Sequence, residues 1–229
     1  MPERRLTFDS AVATGRGDDG TTGLLFGGDR VRKDDLRTEA FGTLDEAVAA
    51  LGVARAELGA ISAGDAGAEA AADLAGLILR LQRELFVAGA ELATDPGSRS
   101  KQRDGETRVS AAMVEGIEAA LREREAMVVM PREFIVPGET RASAAIELAR
   151  TTVRRAERRA VTLAAADPDL AAGHLLPYIN RLADLLWILG RVAEGLEARP
   201  ATMARPDRRR PARGNPRSDV GSAGGAGER

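Results

Sequence analysis

Arg150, Arg154 and Arg158 recur every four residues, with Arg155, Arg159 and Glu157 beside them. At helical spacing the first three form one stripe. The planar guanidinium fork gives directional bonds to phosphate and carboxylate, so such a stripe suits an anion. It can equally be a solvated charged face. Here it borders an apolar seam (Ala142, Ile146, Ala149, Val153, Ala156, Ala160, Leu163) instead of opposing it, which favours an anion site at a helix or subunit boundary. A second candidate lies near the N-terminus, where Gly15, Gly17 and Gly20 fall within six residues, among Thr14, Asp18, Thr21 and Thr22. Glycines free backbone N–H groups to wrap an anion such as a phosphate chain. The stretch is neither a Walker A nor a Rossmann turn, and composition alone fits a flexible arm equally well.

Other chemistries have little to build on. His174 is the only histidine and there is no cysteine, so a histidine-pair metal site, a Ser–His–Asp triad and disulfides lack their groups. His174, before Leu175, reads as a surface or capping residue. Asp167 and Asp169 flank Pro168 and read as a helix cap. Asn180 and Asp184 share a helix face, where they serve equally as a polar staple or as ligand contacts. Trp187 reads as core. Phe134 sits in an extended stretch before Pro137-Gly138, the place for either a hydrophobic plug or a functional aromatic.

The elements that position these residues follow from composition and period. Apolar residues make up 44% of the 229 but aromatics only 3%, so Ala, Leu, Val and Ile must build the core, as in close-packed helices. A net charge of −2 argues against a nucleic-acid binder, and no apolar run approaches a membrane span. The default is a soluble cytoplasmic protein. Seams at spacings of three and four predict five helices: 34–59, 68–92, 110–125, 141–163 and 169–197. Asp34 or Asp35 caps the first. Asp45, beside its seam, needs an arginine partner if buried. Residues 93–106 read as a polar loop, the mobile segment between helices, and 127–138 as extended. The fold class is therefore all-α, an up-and-down five-helix bundle over 36–198. An N-terminal glycine-rich arm spans 1–35, and a tail without strand or helix period, 199–229, is expected to be disordered.

Six motifs occur in order: TGRGDDGTT at 14–22, FGGDRVRKDDLR at 26–37, EAFGTLDE at 39–46, FIVPG at 134–138, ARTTVRRAERR at 149–159 and YINRLADLLW at 178–187. As an ordered set over about residues 10–195 they resemble the PduO-type ATP:cob(I)alamin adenosyltransferases. The resemblance implies a homotrimer with active sites between subunits, ATP held by the N-terminal loop, and Mg²⁺ carried mainly by the phosphates. It implies transfer of the 5′-deoxyadenosyl group of ATP to the cobalt of cob(I)alamin, with triphosphate leaving. A B12-dependent acceptor enzyme would be a further partner. The ATP-binding set so implied is Thr14, Arg16, Gly17, Asp18, Gly20, Thr21, Thr22 and Lys33, with Arg154, Glu157, Arg158 and Asn180 across the subunit boundary. Asp45 and Arg150 match an ion pair joining subunits. Phe134 matches the aromatic that closes the lower face of the corrin and displaces the lower cobalt ligand.

The chain departs from the family pattern at four positions. Gly15 and Arg16 replace a lysine and a threonine of the phosphate loop, with Arg16 able to return the lost charge. Glu139 replaces a glycine and Glu147 a histidine. A helical bundle that binds and delivers adenosylcobalamin without catalysis is the alternative, and an unrelated structural bundle a third.

Overall fold

A computed structural model describes residues 10–61 and 64–205. The body is mostly helical. Helix α1 spans Leu36–Gly59, α2 Gly64–Ala93, α3 Ala111–Glu125 and α4 Arg141–Ala164. A short α5, Pro168–Ala172, precedes α6, Leu175–Leu196, and one 3-10 turn covers Pro96–Lys101. Strand pairs of two residues each join β1 (Thr21–Thr22) to β2 (Val31–Arg32), and β3 (Ile135–Val136) to β4 (Thr202–Met203), both antiparallel.

Side chains that satisfy free N–H groups set the helix starts. The Asp35 carboxylate accepts from Arg37 N at 2.8 Å, and Ser110 Oγ accepts from Met113 N at 3.3 Å. Thr140 and Ser143 bond reciprocally in a capping box at the head of α4, immediately after the Pro137-Gly138 turn. The core is built from small residues. Ala40, Ala47 and Ala54 of α1 and Ala149, Ala156 and Ala160 of α4 are fully buried, and these two helices are neighbours. Alanine at a helix–helix contact lets the axes approach closely. α2 lies against α1, while α6 lies against α4 and α3.

Ion pairs fix the α1–α4 pair as antiparallel: Arg37 of α1 meets Asp167 just beyond α4, Glu39 meets Arg159, Glu46 meets Arg155, and Glu57 meets Arg141. The N-terminal arm is bonded to the end marked by Arg37 and Asp167. Leu25 N donates to the Ala93 carbonyl at 2.8 Å, and Asp95 N donates to the Leu25 carbonyl at 3.1 Å. A Cβ on Gly28 would lie 2.3 Å from Asp95 Oδ1, so glycine is required for this approach.

Three expectations are corrected. The helix expected over 169–197 is two, because Pro177 lacks an N–H and its ring would strike the Gly173 carbonyl of a continuous helix. His174 is exposed, in keeping with its surface reading, and occupies the turn before α6 without a capping bond from its side chain. The segment 93–106 is tied down: Arg99 bonds Asp167 and Asp169, and Lys101 and Ser98 donate to the Phe26 carbonyl at 3.2 and 3.3 Å. The start of the tail, Thr202–Met203, forms a strand; residues 206–229 lie outside the described residues.

Candidate active site

The glycine-rich loop is built by its own backbone and by Arg30. Gly15 and Gly20 take positive φ of 72° and 78°, closing turns in which Asp18 N reaches the Gly15 carbonyl and Gly20 N the Gly17 carbonyl. The Asp19 carboxylate accepts from both Thr21 N and Thr21 Oγ1, at 2.9 and 2.8 Å. These bonds, the hydroxyl's foremost, hold its carboxyl below the usual carboxylate range. Arg30 donates to Thr21 Oγ1 at 2.7 Å, to the Arg16 carbonyl at 2.8 Å and to the Thr21 carbonyl at 3.0 Å. Its role as the loop's internal brace escaped the sequence reading, since one arginine among many carries no distinguishing pattern.

Lys33 crosses this loop. Its backbone N–H donates to the Gly20 carbonyl at 2.9 Å, and a Cβ on Gly17 would lie 2.8 Å from its Nζ. Gly17 is thus the residue over which the ammonium lies. The Arg16 and Lys33 cations form no ion pair among the described residues, while Thr14, Arg16, Asp18 and Lys33 are exposed. Thr21 and Thr22, half-buried, form β1. Free N–H groups, hydroxyls and two uncommitted cations suit a polyphosphate.

On α4, Arg154 and Arg158 are exposed, and Arg158 donates to the Arg154 carbonyl at 3.0 Å. Asn180 Nδ2 donates to Glu157 Oε1 at 2.9 Å, joining α6 to α4. Those two are brought together. The loop is not: no hydrogen bond or ion pair among the described residues links it to Arg154, Glu157 or Asn180.

Asp45 is exposed, so within the single chain it has no need of a buried partner; it lies one residue, about 100°, round the helix from buried Leu44. Within the chain Arg150 pairs instead with Glu147, Nε to Oε2 at 2.6 Å. Glu147 is buried and also accepts from Arg191 at 3.1 Å, while Arg191 forks onto Glu194 with two bonds of 2.7 Å. Arg191 also lies 5.3 Å from the centroid of the Trp187 ring, in cation–π range. Arg191 thus has partners on two helices, Glu194 on its own α6 and Glu147 on α4.

Phe134 is 88% exposed, which excludes a core plug. Its carbonyl accepts from Ala204 N at 2.7 Å, so pairing with β4 holds the backbone while the ring stays free. It lines a cavity of about 700 Å³ with Pro131, Glu147, Arg150, Trp187 and Arg205. Trp187, taken for core, is half-buried and forms a wall of this cavity.

A mostly helical body carries a glycine-rich loop, with the Arg16 and Lys33 cations unpaired among the described residues, toward one end and a cavity walled by Phe134 and Trp187 toward the other. The chain belongs to the cobalamin adenosyltransferase family, whose model matches residues 12–193. It is 38% identical over 185 residues to a corrinoid adenosyltransferase of Citrobacter freundii, an alignment covering 80% of this chain and 94% of that one. It is 40% identical over 196 residues to the corrinoid adenosyltransferase PduO of Salmonella typhimurium, covering 85% of this chain and 53% of that longer protein. Among solved structures it resembles a variant PduO-type ATP:corrinoid adenosyltransferase from Lactobacillus reuteri complexed with cobalamin and ATP. The TM-score is 0.70 at 26% identity, over 85% of this chain and 96% of that one.

Proposed function

We propose that this chain transfers the 5′-deoxyadenosyl group of ATP to the cobalt of cob(I)alamin, releasing triphosphate. The observation that carries this reading is Phe134, an exposed aromatic held by its backbone over a cavity walled by Trp187 and Arg150. Cob(I)alamin is already a strong nucleophile, so no activating base is needed; the enzyme must align C5′ with cobalt and neutralise the leaving triphosphate. In this reading the loop from Thr14 to Thr22, with Lys33, holds the phosphates. Arg154 and Arg158 add charge, and Glu157 and Asn180 hold the nucleoside. Phe134 takes the lower face of the corrin, displaces the lower ligand and excludes water, which makes cob(II)alamin easier to reduce.

The working unit in this reading is a homotrimer of five-helix bundles, as a distance within one chain supports. The loop is bonded to the Asp167 end of α4, whereas the Phe134 cavity lies at Glu147 and Arg150. Seventeen residues of helix and turn separate Arg150 from Asp167, about 25 Å at 1.5 Å per residue. ATP spanning from the loop to a corrin on Phe134 is too short to cover that distance, so a loop from one copy serves the cavity of another. Asp45, exposed in the single chain, is then available to Arg150 of the neighbour, whose remaining N–H groups are uncommitted among the described residues.

Mg²⁺ travels with the triphosphate. Among the described residues no three carboxylate or imidazole groups gather as a metal site. No helix among the described residues is long and apolar enough to cross a membrane, and the reading places the enzyme in the cytoplasm, passing its product to a B12-dependent enzyme. An absorbance assay with reduced cobalamin and ATP tests the reaction. Conversion to adenosylcobalamin is expected; binding without turnover would make the chain a carrier, and neither would leave a structural bundle.

A further inference from the structure

Beside the Phe134 cavity lies a second, larger one of about 1850 Å³, between the segment after α3, the end of α6 and residues 198–205. The two share Pro131, Arg132, Glu133 and Arg205, so they are continuous. One wall of the larger cavity is apolar and solvent-facing: Val129 is 95% exposed, Met127 60% and Met130 49%. A thioether wall adapts to a flat aromatic. Its charged residues are unevenly committed. Arg191 and Glu194 satisfy each other, whereas Arg132, Arg199 and Arg205 form no ion pair among the described residues. Against them stands one uncommitted carboxylate, Glu133, leaving an excess of two positive charges.

We propose that this cavity receives the displaced nucleotide tail of the corrinoid. The inference rests on the proposed role of Phe134. When that ring takes the lower cobalt position, the dimethylbenzimidazole leaves it but stays tethered to the corrin through a ribose and a phosphodiester. The tail thus presents a flat apolar base and one negative charge on the side where Phe134 stands. The larger cavity offers a methionine- and valine-lined wall for the base and arginines for the phosphodiester. Arginine repels the other candidate occupant, the chain's own segment after residue 206, which is itself arginine-rich. The tail subsite would make the enzyme prefer complete corrinoids over those lacking the nucleotide.

The test compares cobalamin with cobinamide, which lacks the tail, by equilibrium binding of the cob(II) forms in the presence of ATP and by turnover. Arg199 lines only the larger cavity and is exposed, so Arg199→Glu leaves both the fold and the Phe134 cavity intact. The substitution should weaken cobalamin binding about five- to tenfold by placing like charge on the phosphodiester, and leave cobinamide unchanged. Added salt should narrow the wild-type preference for cobalamin. Equal loss for both corrinoids, or loss for neither, overturns the subsite. Preferential binding of cobalamin without turnover would overturn the adenosyl transfer but retain the subsite; binding of neither corrinoid would overturn both.

Discussion

Truncating Phe134 to alanine separates chemistry from stability. A buried phenylalanine lost to alanine costs about 3–5 kcal/mol, through lost transfer energy and the cavity left behind. Phe134 is 88% exposed, so its ring leaves no cavity inside the fold, and the cost should stay within about 0.5 kcal/mol. The backbone bond from Ala204 N survives, because it uses the Phe134 carbonyl. Phe134→Ala should therefore melt with the wild type and bind ATP normally, because in the proposed arrangement its ring meets the lower face of the corrin and none of the groups that hold ATP. What it should lose is the four-coordinate cob(II)alamin spectrum, and with it most turnover when cob(II)alamin must be reduced on the enzyme. Pre-reduced cob(I)alamin should recover much of the rate, since alignment and triphosphate neutralisation are untouched. Melting, nucleotide binding and low-temperature spectroscopy of cob(II)alamin on one preparation read all three. Wild-type spectra and turnover would refute the reasoning, as would a drop of several kcal/mol in stability.

Three further outcomes are expected. Arg154→Ala, an exposed change without effect on folding, should weaken ATP binding by about 1.5–3 kcal/mol; titration showing unchanged affinity removes Arg154 from the site. Asp45→Ala should leave the fold of each protomer intact yet lose trimer or activity, as should Arg150→Ala; fully active trimers of both single mutants and the double mutant, seen by sedimentation and assay, would exclude the pair. At Asp167, burial alone would raise the carboxyl, but Arg99, the Leu170 amide and Arg37 together hold it below its usual value. A depressed folded value contributes stability that is present above the unfolded carboxylate range, about pH 4, and is lost as pH falls through the folded value. Asp167→Asn should cost about 3 kcal/mol near neutral pH, by leaving Arg37 and Arg99 uncompensated, and flatten the acid limb of the melting profile; an unchanged limb would show that the clamp does not titrate there.

Local signals carried most of the helices. Asp35 and Ser110 cap where their types predict, and the alanine-rich seam of α4 is buried along its whole length. These features repeat within one turn, so a short window contains them. The break at Gly173 was written in Pro177, but the apolar period on either side masked it. Two-residue strands have no period to detect, so β3 and β4, 68 residues apart at Ile135 and Met203, could not be paired from sequence. The Arg37–Asp167 clamp and the Glu147–Arg191–Glu194 cluster depend on contacts between distant helices. Within the candidate site, the loop's glycines and Lys33 were readable from type and order. The loop's brace, Arg30, and the intramolecular partner of Arg150 were not, because any carboxylate or carbonyl can satisfy an arginine.

The pairing of β4 with β3 has a mechanical consequence. Ala204 holds the carbonyl of Phe134, and Arg205 follows it directly. Whatever is joined to the chain beyond that point, whether its own arginine-rich extension or a fused domain, is leashed one residue from the peptide that carries the ring. Tension, crowding or cleavage at the C-terminus therefore reaches Phe134 through the Ala204 hydrogen bond and the short β3–β4 pairing next to it, with no need to disturb any helix.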